Sequence, residues 1–212
     1  PGTEQEASTL NELYKKGNLV TTIVKGKNAS EEWFKSLSGK SPKVLHLATH
    51  GFFFEDDKDT LDYKHQQPKY TMAKDPLLRS GLVLANANYV WKNGNNPYKE
   101  EDGVLTAYEI SKLDFQNTDM VVLSACETGL GDIDGSEGVY GLQRAFKMAG
   151  VDIIVMSLWE VPDKETSEFM QLFYSNWLGG KPVRDAFRET QRTMSNKYKE
   201  APEKWAAFVL IE

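Results

Sequence analysis

The sequence predicts an α/β fold, a mostly parallel sheet covered by helices on both faces. Three observations lead there. The runs 43–49 (KVLHLAT), 119–125 (DMVVLSA) and 151–158 (VDIIVMSL) are almost continuously apolar, as strands buried on both faces must be. Segments with helical spacing of apolar residues lie between and after them. The length, 212 residues, suits one well-buried domain better than two small ones, so residues 1–212 are read as a single domain.

Taken in order, residues 19–24 (LVTTIV) are short and β-branched, which predicts a strand. Ser30 followed by Glu31 and Glu32 reads as a helix N-cap with acidic first-turn residues, the helix ending near Gly39. After the first buried strand, 51–79 is mostly polar and reads as a long loop. Residues 81–85 (GLVLA) predict another strand, and 86–102, rich in Asn, a surface insertion. Thr106 and Glu109 form a capping box for a helix over 107–113.

The second buried strand leads into a Gly-rich acidic loop, 127–137, and then a helix bearing Val139, Leu142, Phe146 and Met148, stopped by Gly150. After the third strand, Asp163 is expected to cap a helix with Phe169, Leu172, Phe173 and Trp177 on one face, ended by Gly179 and Gly180. Pro182 suits the first position of a last helix, and 205–211 (WAAFVLI) closes as a strand.

Composition narrows the function classes. With 40% hydrophobic and 26% charged residues the balance is that of a globular domain. No stretch approaches the apolar length of a membrane span, and residues 1–16 lack a secretory signal pattern, so neither membrane nor export is expected and a cytoplasmic location is. Opening on Pro1 rather than Met suggests a piece of a longer protein. The net charge of −6, without Lys/Arg runs, argues against nucleic acid as the main ligand. One cysteine excludes an internal disulfide and a multi-cysteine metal site, and three histidines without local spacing give no zinc signal.

Chemistry concentrates where two apolar strands end. One finishes in His50-Gly51, the other at Cys126. In open parallel sheets ligands bind beyond the carboxyl ends of strands. If the two strands are neighbours, an imidazole stands beside a thiol it can deprotonate, and can later protonate a leaving amine. The Gly51 and Cys126 amides would form an oxyanion hole, where losing one donor typically costs about 3 kcal/mol. Acidic Glu127, Asp132, Asp134, Glu137, Glu160 and Asp163 on the loops of the same sheet edge would favour a basic substrate side chain.

Blander readings compete. A lone Cys ending an apolar strand is often core. His46 reads as a hydrogen-bonded core histidine, and His65 as solvated. Asp163 serves equally well as a helix cap. The loop around Asp132 and Asp134 lacks the Lys-Ser/Thr of a phosphate loop and the full ligand spacing of a calcium loop. The run Phe52-Phe53-Phe54 reads as packing, with a peptide groove as the alternative.

The stretches LHLATHGFF, PLLRSGLVLA, DGVLTAYEI, VVLSACETGLG, SEGVYGL, SLWEVPD and WAAFVLI resemble the caspase and separase group of cysteine peptidases, and more closely the CHAT domain. The likeness runs from about Glu4 to Ile211. It implies a caspase-like three-layer α/β/α sandwich, a His50–Cys126 dyad and no cofactor. It also implies a protein or peptide substrate, tetratricopeptide repeats or a regulatory partner on the N-terminal side, and a bacterial defence or cell-death setting. SLWEVPD is similar to a separase segment whose acid meets a substrate arginine, which marks Asp163 as a specificity residue. The insertion around 86–102 departs from the family pattern and bears on loop geometry. The rival expectations are a non-catalytic interaction module on the same fold, and a nucleotide-binding signalling domain of the doubly wound class.

Overall fold

A computed structural model of the chain describes residues 2–53, 75–88, 101–124 and 136–212, with backbone alone at 2, 3, 5 and 136–140. Its centre is a sheet in the order β1 (Val44–Leu47), β5 (Met120–Leu123), β6 (Ile153–Ser157), β7 (Phe208–Ile211). The first three strands run parallel and β7 is antiparallel to β6. A second, antiparallel sheet orders β2 (Gly51–Phe53), β3 (Ser80–Val83) and β4 (Val104–Thr106).

Side-chain alternation along β5 divides the core in two. Val121 and Leu123 face a cluster with Phe34 of α2 (Glu31–Lys35), Ile110 of α3 (Ala107–Ile110) and Leu142 and Phe146 of α4 (Ser136–Met148). Met120 and Val122 face the other cluster. It holds Leu10 of α1 (Gly2–Lys16), Phe169, Phe173 and Tyr174 of α5 (Asp163–Leu178), and Ala186, Phe187 and Met194 of α6 (Val183–Lys197). The result is a caspase-like mixed α/β/α sandwich with a mostly parallel central sheet, as expected.

Local signals explain most elements. Ser30 accepts from Trp33 N–H and caps α2. Thr106 and Glu109 close the predicted capping box on α3. Gly150 and Gly180 take φ of 100° and 98° where α4 and α5 stop, values a side chain resists. Gly81 has no room for a Cβ, which would come 2.3 Å from the Leu105 carbonyl oxygen. That close approach seats β3 against β4.

Several expectations need correction. Residues 19–24 form no strand. Val20 is 100% exposed and Leu19 and Ile23 are 45% exposed, so the β-branched run has neither a partner strand nor a buried face. α1 was not anticipated, because residues 2–16 are polar overall, yet Leu10, Leu13 and Tyr14 fall on one buried face. Residues 51–53 form a short strand rather than loop, and 104–106 form another that the sequence reading left unassigned. The N-cap of α5 is Pro162, with no side-chain cap, so Asp163 is a first-turn residue and not the cap. Pro182 likewise sits at the N-cap of α6, one residue before the helix. Ser136 and Glu137, assigned to the acidic loop, already belong to α4, and Met148 at its end is 53% exposed.

Candidate active site

β1 and β5 are direct neighbours, in parallel register that pairs Leu47 with Leu123. The ladder runs one bond further, from Ser124 N–H to the Leu47 carbonyl at 3.1 Å. His50 follows Leu47 by three residues and is exposed, at the turn between β1 and β2. Two bonds to β3 hold the backbone there. The His50 carbonyl accepts from Val83 N–H at 2.7 Å, and Thr49 Oγ1 donates to the Val83 carbonyl at 2.5 Å. Since His50 and Val83 form a hydrogen-bonded pair, the next pair, Gly51 and Leu82, is non-hydrogen-bonded. That alternation turns the N–H of buried Gly51 away from β3.

On the other side of β5, β6 pairs Met156 with Leu123. Its exit leads through exposed Glu160 to exposed Asp163 in the first turn of α5. The exit of β5 therefore lies between that of β1, which leads to His50, and that of β6, which leads on to Glu160 and Asp163. Cys126, Glu127, Asp132 and Asp134, together with His65 and Phe54, lie outside the described residues. Phe52 is buried against Ala87 and Val104, as a packing role expects.

The sheet face that carries α1 and α5 holds a polar network beneath these exits. His46 is paired with Val122 across the strands. Its Nε2 lies 2.9 Å from Glu6 Oε1 and 3.2 Å from Ser124 Oγ, and its Nδ1 lies 3.0 Å from Tyr174 Oη. A carboxylate oxygen only accepts, so the tautomer that serves Glu6 carries its proton on Nε2 and accepts from Tyr174 at Nδ1. Glu6 is 5%, Ser124 3% and Tyr174 0% exposed, so the contacts are sheltered from water. Burial pushes the Tyr14 hydroxyl up to about 12 against the opposing hydrogen bond with Tyr174, and pushes Tyr174 well above its ordinary value. Both phenols therefore stay protonated near neutrality.

His46 is thus a hydrogen-bonded core histidine, as the sequence suggested. Its partners Glu6, Ser124 and Tyr174 were missed. The signal for Ser124 was strand parity, since His46 and Ser124 share one face of adjacent strands. Glu6 lies one helical turn before Leu10 on α1, an element not foreseen.

A second carboxylate group, Glu31, Glu101 and Glu109, brings its oxygens within 4.8 Å of one another, close enough to suggest a metal. The cation at its centre is Lys35, whose Nζ reaches the three at 2.7, 2.6 and 2.9 Å. Burial together with the neighbouring Glu101 and Glu109 outweighs Lys35 and pushes Glu31 up to about 8. No helix among the described residues is long and apolar enough to cross a membrane.

Comparison with known proteins bears on the whole chain. Tetratricopeptide repeat protein 28 of Homo sapiens is 33% identical over 109 residues, and the protein of the same name in Mus musculus is 32% identical over 109 residues. Each match covers 51% of this chain and 4% of the relative's own length. The family model described as CHAT domain matches residues 1–212. The chain therefore belongs to the CHAT domain family, which is caspase-like and related to peptidases.

Proposed function

We propose that the domain is a cysteine endopeptidase with Cys126 as nucleophile and His50 as its acid/base partner. One observation carries this reading. His50 and Cys126 are each the third residue after Leu47 and Leu123, a directly paired couple on neighbouring parallel strands. The family adds to it, being peptidase-related. In this mechanism His50 takes the thiol proton and the thiolate attacks the scissile carbonyl. The amides of Gly51 and Cys126 hold the oxyanion. His50 then protonates the leaving amine, and water, deprotonated by the same imidazole, releases the acid from the thioester.

Asp163, with Glu160, Glu127 and Asp132, selects a basic side chain before the cut, supported by Asp163 and Glu160 being exposed and following β6, the strand next to β5. The substrate is a specific protein partner, met in the cytoplasm. The domain is the C-terminal part of a longer protein and follows tetratricopeptide repeats, which the names of the two relatives support. A bacterial defence or cell-death role rests on the family likeness alone.

A positional peptide library tests the reading. The wild type cleaves after Arg or Lys, Cys126→Ala abolishes cleavage, His50→Ala lowers kcat/KM by about 10²–10⁴-fold, and Asp163→Ala weakens the basic preference. Absent cleavage, with equal iodoacetamide labelling of wild type and His50→Ala, would mean an interaction module instead.

A further inference from the structure

We infer that the outer edge of β7, with the face of α6 beside it, docks an extended segment of a protein partner in which acidic and apolar residues alternate. This surface is independent of the His50–Cys126 dyad.

β7 ends the central sheet, and among the described residues no strand pairs with its outer side. The register fixes which backbone groups face that side. Leu158 N–H donates to the Ala207 carbonyl at 2.9 Å, so these two residues are a hydrogen-bonded pair. By alternation, Ser157 with Phe208 is non-hydrogen-bonded, Met156 with Val209 hydrogen-bonded, and Val155 with Leu210 non-hydrogen-bonded. Phe208 and Leu210 therefore turn their amides and carbonyls outward. The Phe208 carbonyl does so visibly, accepting from Gln191 Nε2 of α6 at 3.0 Å. The Phe208 N–H and both Leu210 backbone groups have no partner among the described residues. Edge strands are usually blunted by Lys, Pro or a bulge. β7 reads Phe-Val-Leu-Ile in unbroken register and carries none of these. An open edge of this kind takes an added strand through its main chain.

α6 decides which strand fits. It runs beside β7 in the opposite direction, since Gln191 meets Phe208 and Arg184 meets Glu212. From 184 to 191 a helix rises about 10.5 Å, and from 208 to 212 a strand spans about 13 Å, so the two stay side by side. The open groove between them, about 470 Å³, is lined by Arg184, Phe187, Arg188, Gln191 and Leu210 among others. A strand added to β7 alternates its side chains between two faces. One face meets the exposed Arg184 and Arg188, and the other meets the half-buried Val209 and Ile211. Acidic residues suit the first and apolar residues the second. The two arginines are one helical turn apart, about 6 Å, and every second strand residue recurs at about 6.8 Å, so successive acids match successive arginines. Glu212 already seats a carboxylate on Arg184, whereas Arg188 makes no ion pair among the described residues. A second copy fits poorly. Two-fold pairing of β7 edges would set Arg184 and Arg188 of both copies together, with only Glu212 from each to offset them on this face.

Fluorescence anisotropy tests this with two fluorescein-labelled hexapeptides, one alternating Val with Glu and one alternating Val with Lys. The acidic peptide is expected to bind and the basic one not to. Arg188→Glu should weaken the acidic peptide by about tenfold or more. N-methylation of one alternate set of peptide residues should weaken it as much, the glutamates if the strand adds antiparallel and the valines if parallel. That arm leaves the protein untouched, so it decides the matter even if Arg188→Glu does not fold. Absent binding, equal binding of the two peptides, wild-type affinity in folded Arg188→Glu, or indifference to methylation of either set each overturns the docking edge. Sedimentation that finds the free domain dimeric, with no peptide bound, would assign the edge to a second copy and overturn it as well.

Discussion

Two carboxylate networks flank the central sheet and differ in what they hold. One centres on His46 and joins α1, β1, β5 and α5 at the strand exits. The other centres on Lys35 and joins α2 to residues 101–103 and to α3. Both centres keep some surface in water, 17% for the His46 side chain and 24% for Lys35, and each holds one carboxyl group out of it, Glu6 at 6% and Glu31 at 2%. The first network touches the residue two before Cys126. The second fixes a helix and a connection on the far cluster. One network thus gathers four elements at an imidazole, and the other clamps two helices and a connection around an ammonium.

Removing the ammonium breaks the comparison most severely. Lys35→Met leaves the Glu101 and Glu109 carboxylates beside the protonated Glu31 without a counter-ion, and costs about 2–3 kcal/mol, less than a fully buried pair because water reaches the site. For a chain of this size that is a fall of about 5–10 °C in melting temperature. Below the transition, alkylation of Cys126 should match wild type. A slowed thiol in folded Lys35→Met would erase the distinction between the two networks.

Thr106→Ala probes the same clamp more gently. Thr106 Oγ1 accepts from Glu109 N–H at 3.2 Å and donates to Glu109 Oε2 at 2.6 Å, and Thr106 N–H donates to the same oxygen at 2.9 Å. Losing the cap costs about 1 kcal/mol. Because Glu109 also meets Lys35 at 2.9 Å, the double variant Thr106→Ala/Lys35→Met should lose less or more than the sum by at least about 0.5 kcal/mol in chemical denaturation. Strict additivity would mean that the cap and the clamp are separate.

How much of this was legible in the sequence follows from what each pattern can report. β1, β5 and β6 were readable because burial on both faces forces unbroken apolar runs. The capping box at Thr106 and the glycine stop at Gly150 were readable because they are local. Residues 19–24 misled because β-branched propensity says nothing about whether a partner strand is near, and Val20 is fully exposed. β2 and β4 are three residues each, too short for a period to emerge. At the candidate site, the place of His50-Gly51 just beyond β1 was legible from the apolar run before it, and β1 and β5 are neighbours. Glu6 was not, because its partner is distant in sequence and its helix carries few apolar residues. The Lys35 cluster was unreadable for the same reason, since its four charges come from three separate segments.

The smallest effect has the most diagnostic sign. Burial, with the neighbouring Glu101 and Glu109, raises the Glu31 carboxyl in the folded protein from the ordinary 4.5 to about 8, so near neutrality it holds a proton that the unfolded chain would release. A raised carboxyl contributes stability that is fully present below about 4.5 and is lost as pH climbs through about 8. Glu31→Gln mimics the protonated form and keeps an acceptor for Gly103 N–H, which meets Glu31 Oε2 at 2.8 Å. At pH 6 the variant should therefore melt within a degree or two of wild type. Toward pH 9 wild type must ionise a third carboxylate beside one ammonium, and the variant should become the more stable of the two. Melting curves from pH 5 to 9 decide it. A variant that instead falls further behind wild type as pH rises would mean that Glu31 is ionised throughout and that Lys35 dominates its neighbours, which would make the clamp a true ion cluster and widen its difference from the His46 network.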